Sequence, residues 1–319
     1  MYRGDEERAV MSTYRLRSNV SFMTVFRPWD ADDDEYTQRL EIKEQIPPTL
    51  RPALLAWLRN ELATAPNYSS ERRTWESTVL NIQSALAVNL DQRAGTVLTK
   101  NLVSAIAQRG DKFLLRVVDF LLSMMRPERS NPGWPTEPPT AVTKLIWHLD
   151  QNMSAVTVVE GEDGSYRIAR RLPLGVEESG VSAVDSASEA AGRHLTKAWM
   201  SVRSLTPDTS LAMTEAIRAV EAAAAPVVLP KDKRQQLSKI VQALKERKSW
   251  TLVLEQRDDG YPNQHLVLIG MLETLVFAQQ SRHGGGEPPS LLQALSHVQL
   301  ASTLVAWFAT GAVVNESQT

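Results

Sequence analysis

Two neighbouring residues, Arg282 and His283, are the best suited to chemistry in this sequence, and three glycines, Gly284 to Gly286, follow them. A guanidinium stabilises negative charge that develops on a phosphoryl group, and an imidazole transfers protons near neutral pH. Glycines let the backbone approach a ligand closely. The pair therefore predicts phosphodiester chemistry. The alternative is that His283 interacts with the C-terminal dipole of the preceding helix and that the glycines only end that helix.

A basic segment from Lys231 to Lys248 is the second candidate site. It has seven lysines and arginines against two acids, Asp232 and Glu246, a local net charge of +5. Such a segment is suited to binding RNA phosphates, although a solvated helix face is the commoner meaning of a basic run. The candidate RNA-binding residues are Lys231, Lys233, Arg234, Lys239, Lys245, Arg247 and Lys248.

Most other kinds of active site are excluded because the sequence lacks their motifs. The five histidines are scattered without metal-ligand spacing, there is no cysteine, and neither a P-loop nor a GxSxG nucleophile elbow is present. The acidic cluster from Asp30 to Glu35 lacks the ligand spacing of a calcium loop, which favours a solvated acidic turn. We therefore expect no metal, no cofactor and no P-loop nucleotide site.

Composition narrows the class of protein further. The chain has 319 residues, 43% of them hydrophobic, and its 35 basic and 37 acidic residues give a net charge of −2. This balance argues against binding polyanions over the whole surface, so any contact with nucleic acid must be local. No apolar run approaches the roughly 20 residues that cross a bilayer, which predicts a cytoplasmic protein without a membrane segment.

The periodicity of apolar residues predicts a mainly α fold. Helical spacing is clearest at Thr49–Leu62 and Phe113–Leu122, and the residues Arg282 to Pro289 lie between two further predicted helices, Asn263–Ser281 and Ser290–Ala309. Helices are also predicted after Ser186 and Asp208, the latter closed by Pro226 and Pro230, and at Arg234–Arg247, followed by an extended piece at Trp250–Leu254. The predicted organisation is a loose leader at 1–20, an N-terminal helical domain at 21–126, a proline-rich linker at 127–140, a short helix with a β-hairpin at 141–185, a C-terminal helical domain at 186–314 and a tail at 315–319.

The hairpin within 141–185 is predicted from two short strands, Ala155–Val159 and Tyr166–Leu172, joined by turn residues. Together with the short helix TAVTKLIWHLDQ it is compatible with a winged-helix remnant, in which Arg167, Arg170 and Arg171 contact phosphates. The alternative is that these arginines are solvated strand residues.

The C-terminal sequence resembles a known family. HLTKAWMSVRSLTPDTSL and the residues that follow it, then MLETLVFAQQSRHGGG and LASTLVAWFATGAV, are similar to the C-terminal domain of bacterial abortive-infection (AbiJ-like) proteins, members of the HEPN superfamily of helical RNA-associated domains. The resemblance covers about residues 186–314. It implies a HEPN-like helical bundle, a homodimer and a role in phage defence.

The HEPN motif implied by this resemblance is incomplete. Arg282 and His283 match its arginine and the polar residue after it, but Glu287, Pro288 and Pro289 occupy the positions where its closing histidine would stand. Metal-independent RNA cleavage then requires Glu287 or His283 to substitute, so the sequence leaves open whether the protein is an enzyme.

Three functions are compatible with the sequence. The first is a phage-defence protein that binds or cleaves RNA. The second is a non-catalytic helical module that binds a protein partner. The third is a winged-helix DNA-binding protein, for which the helix TAVTKLIWHLDQ offers few base-reading side chains.

Overall fold

The structure, a computed structural model, describes residues 25–65, 71–90, 95–128, 137–161, 163–232, 236–255, 259–282 and 288–316, with the side chains of 278–282 left out. The fold of these residues is mainly α, with twelve helices and three two-stranded antiparallel sheets. They form two compact units, which we call the N-terminal unit (residues 25–171) and the C-terminal unit (residues 172–316).

The N-terminal unit contains six of these helices and two of the sheets. In chain order its elements are α1 (Asp33–Arg39), α2 (Arg51–Glu61), β1 (Arg73–Thr74), α3 (Glu76–Leu86), β2 (Val97–Leu98), α4 (Thr99–Gln108), α5 (Asp111–Ser123), α6 (Thr140–Gln151), β3 (Val156–Glu160) and β4 (Tyr166–Arg170).

Helix α5 supplies much of the core of this unit because it is apolar around most of its circumference. Seven of its residues are buried: Phe113, Leu114, Leu115, Val117, Val118, Leu121 and Leu122. Helix α2 buries Leu54, Trp57 and Leu58, and the Trp57 indole donates to the Ala141 carbonyl at 2.8 Å. Burial of this apolar surface is the main stabilising contribution to the unit.

Strands β3 and β4 form the expected hairpin, with Val158 paired to Ile168 at its centre. The hairpin is held on helix α5, where the Asp119 carboxylate accepts the Ile168 backbone N–H at 2.8 Å and two bonds from the Arg167 guanidinium at 3.0 and 2.6 Å. An isolated hairpin is only marginally stable, so this support is what keeps it formed.

Two of the three hairpin arginines form ion pairs with carboxylates of the N-terminal unit. Arg167 is engaged with Asp119, and Arg171 is only 7% exposed and bonds Asp150 at 2.7 Å. For Arg171 the solvated-strand interpretation is wrong, because the side chain is buried. Its charge is compensated by the Asp150 carboxylate and by the Ser154 carbonyl, which accepts a hydrogen bond at 2.7 Å. Arg171 is therefore not left to bind phosphate as a winged helix would require, and the charge of Arg167 is paired with Asp119.

The C-terminal unit contains the other six helices of the described residues and the third sheet. Its elements are α7 (Leu174–Ser186), α8 (Glu189–Arg203), α9 (Thr209–Val228), α10 (Leu237–Glu246), β5 (Trp250–Leu252), α11 (Gln264–Arg282), α12 (Leu291–Thr310) and β6 (Val313–Asn315).

Helix α9 lies in the middle of the core of this unit and packs against α8 and α12. It begins at the predicted cap, since the Asp208 carboxylate accepts the Leu211 N–H at 2.8 Å. It ends at Val228, between the two prolines that were predicted to close it, so Pro226 lies in its last turn. A proline this close to the end removes a single backbone hydrogen bond, and the helix needs only two further residues.

Two other parts of the structure differ from the sequence prediction. Helix α7, within LGVEESGVSAVDS, was not expected, and its Gly180 lies directly against the Trp199 ring. The acidic cluster forms the start of helix α1 rather than a simple turn: the Asp32 carboxylate caps the helix through the Glu35 N–H, and the Asp33 carboxylate bonds Arg27. Carboxylates are favourable in this position because of the helix dipole.

Helix α12 is long and apolar enough, by length and composition alone, to cross a membrane. It begins with a capping box between Ser290 and Gln293 and ends at Gly311 in the left-handed conformation. Eight of its side chains are buried in the core of the C-terminal unit. Packing within the protein therefore accounts for part of its apolar character.

Candidate functional site

The predicted Arg282–His283 pair stands at the boundary of the described structure. Helix α11 ends at Arg282 and helix α12 begins at Leu291, so the segment between them connects two helices of 19 and 20 residues. His283, Glu287 and the side chain of Arg282 lie outside the described residues. The proposed chemistry of this segment therefore stays a prediction.

The basic segment is partly neutralised by neighbouring acids. Lys239 bonds Asp232 at 3.2 Å, and Lys245 bonds Glu273 of helix α11 at 2.5 Å. Lys233 and Arg234 lie outside the described residues.

The remaining cations of the segment are Lys231, Arg247 and Lys248, which are exposed and form no ion pair with any residue that the structure describes. They flank α10, at opposite ends of a helix about 15 Å long. Of the seven predicted RNA-binding residues, these three are the described ones whose charge is available to a ligand.

A second polar cluster was not predicted. Its centre is Glu215 on helix α9, whose side chain is only 1% exposed. Three donors from two helices converge on its carboxylate: His194 Nδ1 lies 2.6 Å from Oε2, Lys197 Nζ lies 3.3 Å from Oε1, and Arg218 Nη1 lies 2.9 Å from Oε1. We call these four residues the Glu215 cluster.

The electrostatics of the Glu215 cluster follow from this geometry. Burial alone would raise the pKa of Glu215, but the hydrogen bonds from His194 and Lys197 outweigh burial, so its pKa is lowered from the ordinary value of 4.5. One turn and a half further along α9, burial raises the pKa of Glu221, whose carboxylate accepts the Leu237 N–H at 2.8 Å. The pKa values of the two carboxyl groups are thus shifted in opposite directions.

The His194 imidazole is held in a defined orientation by this carboxylate. Its other nitrogen, Nε2, has no hydrogen-bond partner among the described residues and is not buried. A carboxylate bonded to one imidazole nitrogen fixes the tautomer and leaves the other nitrogen available for a ligand or a proton. The arrangement is therefore able to hold an anion or to transfer a proton.

Sequence reasoning missed this cluster, although a signal was present. Helical periodicity places Glu215 among Ala212, Ala216 and Ala219 on the buried face of α9. A buried glutamate requires a compensating donor or cation. What the sequence does not contain is which of the 35 lysines and arginines and five histidines supply it, because only Arg218 is a neighbour on α9, whereas His194 and Lys197 are about twenty residues away on another helix.

Helix α11 has an apolar outer surface. Leu266 and Phe277 are 62% and 73% exposed, Val267 is partly exposed, and nothing lies within 4 Å of where a side chain on Gly270 would begin. We call this set the α11 surface. In the part of the chain that the structure describes, no three histidine, aspartate or glutamate side chains are grouped closely enough to hold a metal ion.

Fold and sites together describe a mainly α protein of two compact units with a basic segment, an apolar α11 surface and a buried polar cluster in its C-terminal unit. Comparisons with family models, with curated proteins and with solved structures find no match to this chain.

Proposed function

We propose that this protein acts in phage defence by binding RNA with its C-terminal unit or by cleaving RNA, without a metal ion, at the degenerate HEPN-type site of Arg282, His283 and Glu287. The observation that supports RNA binding is the exposure of Lys231, Arg247 and Lys248 without ion-pair partners among the described residues. The role in phage defence, the HEPN-like bundle, the homodimer and the cytoplasmic location rest on the sequence.

Salt dependence tests the binding. Each phosphate contact to a single-stranded nucleic acid contributes about 0.7 to the slope of log K against log salt concentration, so Arg247→Ala/Lys248→Ala should lower that slope by about 1.4. The matched control is Lys112→Ala/Arg116→Ala on helix α5, which removes the same charge from two exposed residues of the N-terminal unit. Equal slopes for wild type and the Arg247/Lys248 variant would refute RNA binding by this segment.

Cleavage is tested separately with Arg282→Ala. Cells that express wild type or this variant are challenged with phage, and plating and RNA integrity are measured. We expect wild type alone to protect the cells and to degrade RNA. Equal plating with intact RNA in both would refute the nuclease function while leaving the binding test unaffected.

The second candidate is a non-catalytic module that binds a protein partner, and the α11 surface favours it. Exposed leucine and phenylalanine side chains on one helix are typical of interaction surfaces. This function predicts that Arg282→Ala changes nothing, whereas Leu266→Ser/Phe277→Ser abolishes protection. Light scattering on wild type and on this double variant also tests the homodimer: a monomeric wild type would remove the composite cleft that the nuclease function requires.

A further inference from the structure

The Glu215 cluster concentrates more positive charge than its carboxylate neutralises. Lys197 and Arg218 both contact the same oxygen, Oε1, so their charged groups are neighbours, and His194 occupies Oε2. Arg193, exposed next to His194 and one helical turn before Lys197, forms no ion pair with any described residue. One buried carboxylate therefore holds two permanent cations and an imidazole together, with a third cation beside them.

The donors of this cluster are only partly used. Arg218 and Lys197 are 54% and 45% exposed, although each contacts a carboxylate that is itself buried. A guanidinium has five N–H donors and an ammonium three, so most of them remain available after one bond to Glu215. Because Nδ1 donates to Glu215 and a neutral imidazole carries only one N–H, His194 Nε2 is a third donor when the ring is protonated. Solvent-facing donors thus come from Lys197 and Arg218, on two helices, and from His194 in its protonated form.

Glu221 is an acid that interacts electrostatically with Arg218 and His194 of the cluster. Its carboxylate is engaged with the Leu237 backbone N–H at the start of helix α10, and burial favours its neutral form. One of its acceptor positions is therefore already occupied by the backbone.

A tetrahedral phosphate matches this set of donors better than a planar carboxylate. Phosphate presents oxygens in three directions to donors that arrive from different helices, and arginine, lysine and histidine are the side chains that bind it with charge-assisted hydrogen bonds. We propose that Lys197, Arg218 and the protonated His194 imidazole, through Nε2, form a phosphate-binding site on the C-terminal unit, with Glu215 as the residue that positions the three donors.

The proposal is independent of the basic segment from Lys231 to Lys248. The Arg247→Ala/Lys248→Ala variant tests RNA binding by the basic segment, and an Arg218 variant tests phosphate binding by the Glu215 cluster. The two results are separate, because no described ion pair joins the basic segment to the cluster.

Histidine-selective NMR tests the site, because the chain has only five histidines and His194→Gln identifies the relevant resonance. Inorganic phosphate is titrated to about 10 mM at constant ionic strength, with chloride as the reference, which detects a Kd near 1 mM. We expect a saturable shift of His194, with the buried His297 unmoved. Arg218→Gln should weaken phosphate binding about tenfold or more, because a charge-assisted hydrogen bond is lost. Arg116→Gln on helix α5 is the control and should leave it unchanged.

Two further probes distinguish the source of the phosphate group. Adenosine 5′-monophosphate carries a phosphomonoester, and a short oligoribonucleotide without terminal phosphates carries only phosphodiesters. A shift of His194 with either probe that is reduced by Arg218→Gln supports the proposal and identifies the class. A His194 resonance that all three probes leave unmoved, or that moves equally in wild type and Arg218→Gln, overturns it. The resonance of His297 reports that the variants are folded.

Discussion

The ion pair between Arg171 and Asp150 provides the most decisive test of the N-terminal unit. The two side chains are each 7% exposed, and their Nη2 and Oδ1 atoms lie 2.7 Å apart. Arg171 also donates to the Ser154 carbonyl, which joins the end of the hairpin to the chain that follows helix α6. Asp150→Ala would leave a buried guanidinium without its carboxylate.

The expected cost follows from burial. Removing one partner of a buried pair destabilises a protein by about 3–5 kcal/mol, because the remaining charge stays desolvated. Asp33→Ala is the matched control, since the Arg27–Asp33 pair has a similar distance, 2.8 Å, but side chains that are 45% and 92% exposed. An exposed pair of this kind contributes about 0.2–1 kcal/mol.

A double variant separates loss of the pair from loss of packing. Asp150→Ala/Arg171→Met removes both charges, so its cost should be smaller than the sum of the single variants by about 1–3 kcal/mol.

Urea denaturation measures these free energies of unfolding. With a slope of about 2 kcal/mol per molar urea, Asp150→Ala should lower the transition midpoint of the N-terminal unit by about 1.5–2.5 M. Hydrogen exchange at the amides of α6 and β3 assigns the transition to that unit. Equal midpoints for Asp150→Ala and Asp33→Ala, or a double variant that costs the full sum, would show that the pair is not energetically buried.

Three further predictions concern packing, a buried hydroxyl and pH. Gly180→Ala should destabilise the C-terminal unit by about 1–3 kcal/mol, since the new Cβ would lie 3.0 Å from ring atoms of Trp199. Gly270→Ala, with open space around it, should instead stabilise helix α11 by about 0.5–1 kcal/mol. Thermal melting compares the two variants, and a Gly270→Ala variant that is clearly less stable than wild type would contradict the argument. Tyr166→Phe should leave stability unchanged or raise it by about 1 kcal/mol, because the buried hydroxyl has no hydrogen-bond partner among the described residues, and a clear loss in urea denaturation would reveal a partner. Because the pKa of Glu215 is lowered in the folded state, its ionised form stabilises the C-terminal unit above about pH 4.5, and this contribution is lost as pH falls through the folded-state pKa. When the free energy of unfolding is measured by denaturation at a series of pH values, Glu215→Gln should therefore lose less stability at acid pH than wild type does.

Much of the helical structure was predictable from periodicity. The helices expected at Asn263–Ser281 and Ser290–Ala309 are present as α11 and α12, within a residue or two at each end, because apolar spacing and the Ser290 cap are local signals. Helix α7 was not predictable in this way: two glycines and a mixed polar pattern weaken its local signal. What the sequence does not show is its packing against α8 and α12, where Gly180 lies directly against the Trp199 ring.

The third sheet, formed by β5 and β6, also could not be predicted from local periodicity. An extended piece was expected at Trp250–Leu254, and β5 covers its first three residues, but the partner strand Val313–Asn315 is some sixty residues away and three residues long. A strand this short has no periodicity of its own, so its pairing is decided by where the C-terminal end of α12 brings it.

The candidate sites also depend partly on local sequence and partly on tertiary structure. The sequence by itself determined that the protein is mainly α, that Arg282 and His283 stand between two long helices, and that positive charge is concentrated from Lys231 to Lys248, because spacing, caps and charge runs are properties of neighbouring residues. Only the tertiary structure decided which charges are available: it pairs Lys239 and Lys245 with acids and gathers His194, Lys197 and Arg218 around Glu215. The physical reason is that the energy of a charge depends on its burial and on its partners in space, and packing of the helices brings those partners together from distant parts of the chain.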